Sequence, residues 1–158
     1  MSRSQSHFFR GNFLDALKLL EEIDLTALEK RPTYKLAYEL LWTLSMIMSD
    51  QVFDFQAVIN RVKSVEADQA TIEKVVNELE AVRDIMLLKK ENSFFEEAIP
   101  NSNLKKVYYD FYKSQNRLLS GNKVSGKETF QELAQGNSDL FMVRYAKDYL
   151  KGNNESVK

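Results

Sequence analysis

Cysteine is absent from this 158-residue chain, histidine occurs once, and glycine and proline number only five and two. Without thiols there is no disulfide, no thiolate nucleophile and no zinc–thiolate site, a composition that suits a reducing cytosol. The lone His7 lacks the companions that nucleophilic triads and most zinc sites require, and reads as a surface or helix-packing residue. The Glu-x-x-His pairs of a di-iron bundle are also missing. So few glycines and prolines leave too few turns for a sandwich or barrel. The stretch GNKVSGK, from Gly121 to Lys127, looks superficially like a phosphate loop. Its glycine spacing is wrong, no hydroxyl follows the lysine, and it trails a helical pattern rather than a strand.

Charge of one sign is lacking as well. The 22 basic and 23 acidic side chains give a net charge of −1, so no basic face is implied and no nucleic-acid partner is expected. The paired lysines Lys89-Lys90 and Lys105-Lys106 read as flanks of helix ends. No basic-then-apolar leader with a small-residue cleavage site is visible, and a cytoplasmic location is the expectation. The most apolar run, Leu36 to Met48, carries Glu39 and falls short of the about 20 apolar residues that span a bilayer. Membrane insertion is therefore not expected.

What is present is helical periodicity. Phe13, Ala16, Leu17, Leu20 and Ile23 recur at three- and four-residue steps, predicting an amphipathic helix to about Asp24, preceded by the end of another over Gln5–Arg10. Arg31-Pro32-Thr33 breaks the chain, with Thr33 placed to cap the next helix. From Tyr34 to Met48 apolar residues, Trp42 among them, run nearly all the way round, the mark of a central helix. Another helix is predicted over Phe53–Val65, and a long one over Gln69–Lys90, capped by Asp68. A short piece, Ser93–Ile99, ends at Pro100, and Ser102 or Asn103 opens a helix through Leu119. Gly126, Phe130 and Leu133 mark a further helix; Gly136-Asn137-Ser138 separates it from the last, Ser138–Lys151, closed by Gly152. The expectation is eight or nine helices in one domain over residues 1–152, with residues 153–158 a frayed polar tail.

Two turns share a pattern. Phe9-Arg10-Gly11-Asn12-Phe13 is followed by Ala16 and Leu20, and Leu119-Ser120-Gly121-Asn122-Lys123 by Gly126 and Phe130. In each, Gly-Asn follows a helix, a small residue stands five positions after the glycine and a large apolar one four further on. This resembles the tetratricopeptide repeat, a helix–turn–helix unit with small residues where its helices cross. The first turn fits well; in the second, Lys123 stands where an aromatic is usual. The resemblance implies an all-α, antiparallel helical-hairpin array, a superhelix with a C-terminal capping helix. It also implies a non-enzymatic scaffold that holds a protein or peptide partner in a groove, without cofactor or metal. The alternatives are a ligand-sensing domain of a bacterial peptide-responsive regulator and a small helical homodimer paired through the Tyr34–Met48 helix or the Ile72–Met86 stripe.

Within the run Val107 to Tyr112, Tyr108, Phe111 and Tyr112 share the core face with Gln115 and Leu119. Tyr109 points elsewhere, alongside Lys105, Lys113 and Asn116. An exposed tyrosine beside lysine and asparagine suits an acidic or C-terminal peptide, so these four are the candidate partner-binding residues.

Overall fold

A computed structural model describes residues 2–156, and side chains over 2–152. Ten helices and no strand occur among the described residues: α1 Ser2–Phe9, α2 Phe13–Glu21, α3 Leu25–Leu28, α4 Pro32–Met48, α5 Phe55–Lys63, α6 Gln69–Met86, α7 Phe94–Glu97, α8 Asn103–Leu119, α9 Lys123–Leu133 and α10 Phe141–Ser156. The protein is all-α. No described helix is long and apolar enough to cross a membrane. The chain divides into two compact units, Met1–Glu80 and Ala81–Lys158, with the boundary inside α6.

In the first unit α1 and α2 form a tight hairpin. Gly11 sits at φ 88°, where a side chain is disfavoured. From there the Gly11 amide donates to Phe8 O at 2.9 Å and the Asn12 amide to His7 O at 2.8 Å. This bond pair closes the last turn of α1 by satisfying carbonyls the helix leaves open. Phe8 is fully buried against Phe9 and Phe13, and Ala16 is fully buried on the face α2 turns inward. Helices α1, α2 and α3 all pack against α4. Leu36 of α4 joins Val58, Ile59 and Val62 of α5 and Ile72, Val76 and Leu79 of α6 in one cluster. Seven residues of α4 are buried, the polar Glu39, Thr43 and Ser45 among them, while Tyr34 in its first turn is half exposed.

The second unit repeats the turn. Gly121 has φ 81°, its amide reaches Leu118 O at 3.2 Å, and the Asn122 amide reaches Arg117 O at 3.1 Å. Asn122 also caps α9 by accepting from the Ser125 amide at 3.2 Å. At the crossing of α8 and α9, a Cβ on Gly126 would lie 2.9 Å from Leu118 Cδ2, so glycine sets the close approach. Helix α10 packs on α9 and α8, with Tyr145 5.2 Å from Phe111 and Tyr149 4.5 Å from Phe130 between ring centres.

Several boundaries differ from the sequence reading. Thr33 does not cap α4; Pro32 occupies its first turn, where a missing N–H costs no hydrogen bond. Helix α2 stops at Glu21, and Asp24 instead caps the single turn α3 by accepting from the Thr26 amide. Asp68 does cap α6, bonding the Thr71 amide at 2.9 Å and its hydroxyl at 2.8 Å, and these bonds hold its carboxyl below the usual value. Helix α10 continues through Gly152 to Ser156, an open site for glycine with nothing near enough to force a turn. Of the expected frayed tail, Val157 and Lys158 lie outside the described residues.

Helix α6 ends at Met86 rather than Lys90 because Lys89 turns left-handed, φ 52°, which lets the Lys90 amide reach Asp84 O at 2.8 Å. A lysine there carries backbone strain that glycine does not. Lys89→Gly is expected to raise stability by about 0.5–1 kcal/mol, the strain relief exceeding the glycine entropy cost. Urea unfolding measures it; a loss of stability would mean the left-handed residue is not strained.

Candidate functional site

The site is built on an aromatic pillar in the second unit. Helix α7 is a single turn, yet it sets Phe95 against α8, stacked on Tyr112 at 5.0 Å and edge-on to Tyr108 at 6.1 Å. Phe95 also lies 5.6 Å from Tyr109, and Phe94 meets Tyr109 edge-on at 6.5 Å. The chain between α6 and α7 is held to α8 by Asn92. Its amide N–H donates to Asn116 Oδ1 at 2.8 Å, its side-chain amide donates to Asp84 Oδ2 at 3.0 Å, and its Oδ1 accepts from the Phe94 amide at 3.0 Å.

Beside this pillar, α7, α8 and α9 enclose a cavity of about 240 Å³. Its floor includes Phe95 and Tyr109; its α8 wall carries Lys106, Asp110, Lys113 and Arg117, and its α9 wall Glu128, Thr129 and Glu132. Asp110 is shared by two lysines, Lys106 at 2.7 Å and Lys113 at 3.9 Å, one turn to either side. Accepting that bond, Asp110 holds the Lys106 pKa above its ordinary value, and Glu132 adds to the effect across the cavity. Arg117 grips Glu96 with two bonds, 3.0 and 3.1 Å, and spends a third nitrogen on Thr129 Oγ1 at 2.7 Å. The cations are therefore on α8, largely paired within the protein. Glu128 and Glu132, one turn apart on α9, face the same space as acceptors without an ion pair among the described residues.

The four residues singled out in the sequence are separated. Tyr109 is only 4% exposed, a wall of the cavity rather than a projecting ring. Lys113 lines the cavity, but Lys105 lies over the Tyr108 and Tyr109 rings at 5.2 and 5.8 Å. Asn116 is buried, and its side chain is committed to Asn92. Lys106, Asp110, Arg117, Glu128 and Glu132 were not anticipated. The i,i+4 spacing of Lys106 and Asp110 was a readable signal; the Arg117–Glu96 pair, 21 positions apart, was not. No group of three or more His, Asp and Glu residues among those described is placed to hold a metal ion.

No protein-family model, curated protein or solved structure matches the chain. The class it can be assigned to is the one its own helices define, an all-α protein.

Proposed function

We propose that the protein is a non-enzymatic adaptor, a hairpin array of the tetratricopeptide kind, that holds a peptide segment of a partner protein against the α7–α8–α9 cavity. The observation behind this reading is the recurrence of one hairpin design in both units. The same Gly-Asn turn, with the same two backbone bonds, precedes a buried small residue at Ala16 and at Gly126. Such hairpins offer a side-chain-lined groove more readily than a deep catalytic cleft. The cavity adds donors on one wall and acceptors on the other, a pattern that suits an extended peptide with charged or amide side chains. The protein acts as a monomer in this reading, because Leu36 of α4 and Ile72, Val76 and Leu79 of α6 are covered within one chain. A cytoplasmic setting accompanies it.

Affinity capture from the cell that makes the protein tests the reading. The wild type is expected to retain a protein partner. Glu128→Lys/Glu132→Lys, which reverses the exposed acceptor wall without touching an ion pair, is expected to lose at least about nine-tenths of it. Lys63→Glu, in the other unit, is expected to retain it fully. Equal recovery with all three proteins would remove this cavity as the binding site.

A further inference from the structure

A second cavity, of about 280 Å³, lies in the first unit among α3, α4 and α5. Leu25 and Leu28 of α3, with the Tyr38 and Trp42 rings of α4, form its apolar walls; Lys35, Glu39 and Arg61 supply its charge. The Glu39 carboxylate is spent. Its Oε1 accepts from Arg61 Nε at 2.9 Å and its Oε2 from Arg61 Nη2 at 3.1 Å. That leaves the outer nitrogen Nη1 of Arg61 open, while Lys35 has no ion pair among the described residues. Burial, and then the Glu39 charge, raise the Tyr38 pKa, so its hydroxyl is a neutral donor at neutral pH. Every polar side chain still open in this cavity can donate, and only the Tyr38 hydroxyl can accept as well. Among the lining side chains, Lys35 and Arg61 against Glu39 leave an excess of one positive charge; Asp54 acts on Arg61 and Glu21 on Tyr38 only from outside the lining.

We propose that this cavity binds a small free carboxylic acid with an apolar arm, the carboxylate at Lys35 and the outer edge of Arg61, the arm between Leu25, Leu28 and Trp42. A cationic ligand is disfavoured on two counts. Lys35 repels it, and the Trp42 ring, the best cation-binding surface present, already has the Arg61 guanidinium 5.6 Å from its centre. A phosphate ester brings about two charges and three acceptor oxygens, more than one net positive charge matches. A neutral apolar ligand would cover Lys35 without giving it a partner, which costs free energy. The volume is at the low end for ligand pockets, so the arm is short. This cavity lies in the other unit from the one assigned to the partner peptide, and the two assignments stand or fall separately.

Trp42 is the only tryptophan in the chain, so no other indole contributes to the fluorescence read at this cavity. Titration with sodium hexanoate at constant ionic strength is expected to give a saturable change with Kd of about 1 mM, the scale for so few atoms. Lys35→Gln and Leu25→Glu, both at the mouth and each checked by circular dichroism for an intact fold, are expected to weaken binding about tenfold. Hexylamine and 1-hexanol at matched concentrations are expected to give no saturable change. Binding of either as tightly as hexanoate, no saturation by hexanoate well above that concentration, or indifference of both folded variants would overturn the proposal. So would an affinity ten times higher for an acetylated peptide ending in leucine, which would assign the cavity to a chain terminus instead.

Discussion

Phe95→Ala is expected to lower stability by about 3–5 kcal/mol, the usual range for truncating a buried aromatic. The ring is 1% exposed and meets four others: Phe94, Tyr108, Tyr109 and Tyr112. Removing it leaves a void that α7 cannot fill by sinking inward, because Asn92 and the Arg117–Glu96 pair hold the chain on either side of that residue. Phe95→Leu, which keeps most of the volume, is expected to cost about 1–1.5 kcal/mol. Urea denaturation followed by circular dichroism measures both. The same substitution removes part of the cavity floor, so partner recovery should fall further than the unfolded fraction explains. If Phe95→Ala costs less than Phe95→Leu, the pillar is not what holds α7.

Arg61→Met is expected to cost about 2–3 kcal/mol, and Glu39→Met/Arg61→Met to come back to within about 1 kcal/mol of wild type. The asymmetry follows from burial. The Glu39 side chain is 4% exposed and depends on Arg61 for both its oxygens, whereas Arg61 is 44% exposed and keeps water on its outer edge. Removing the guanidinium strands a buried carboxylate; removing both charges strands nothing. The upper values seen for fully enclosed pairs are not expected, since water entering where Arg61 stood will partly solvate Glu39. Loss of the cation above the Trp42 ring contributes a smaller share, about 0.5–1 kcal/mol. A complete double-mutant cycle by denaturation gives the coupling directly. A double variant as unstable as the sum of the two singles would contradict this account.

How much of this was legible depended on where the signal lay. The Gly-Asn turns were readable because only glycine takes the left-handed backbone without strain, so Gly11 and Gly121 announced their geometry. The same conformation at Asp50, φ 56°, and at Lys89 carried a weaker signal or none, and the end of α6 was misplaced by several residues. Tyr109 departs from its pattern for a different reason. It follows Tyr108 directly, and helical periodicity allots one face to the core, so the pattern alone turns the second tyrosine outward. It is buried because α7, four residues long and too short to show a period, covers a second face of α8. Lys113 reached the cavity as a neighbour of Asp110. Asn116 had the composition of a binding residue but serves as a clasp for the preceding loop, a role fixed by Asn92, 24 positions earlier.

The way helices are paired also bears on how fast the chain folds. Helix α1 packs on α2, α3 on α4, α4 on α5, α7 on α8, α8 on α9 and α9 on α10, each partner the next element along the chain. Closing such short loops costs little entropy, and proteins dominated by local pairings fold orders of magnitude faster than those built from distant ones. The pairings that skip an element, α2 with α4, α1 with α4 and α8 with α10, together with the cluster that joins Leu36 of α4 to α6, reach only over one or two helices. Each hairpin can therefore form as soon as its two helices have left the ribosome.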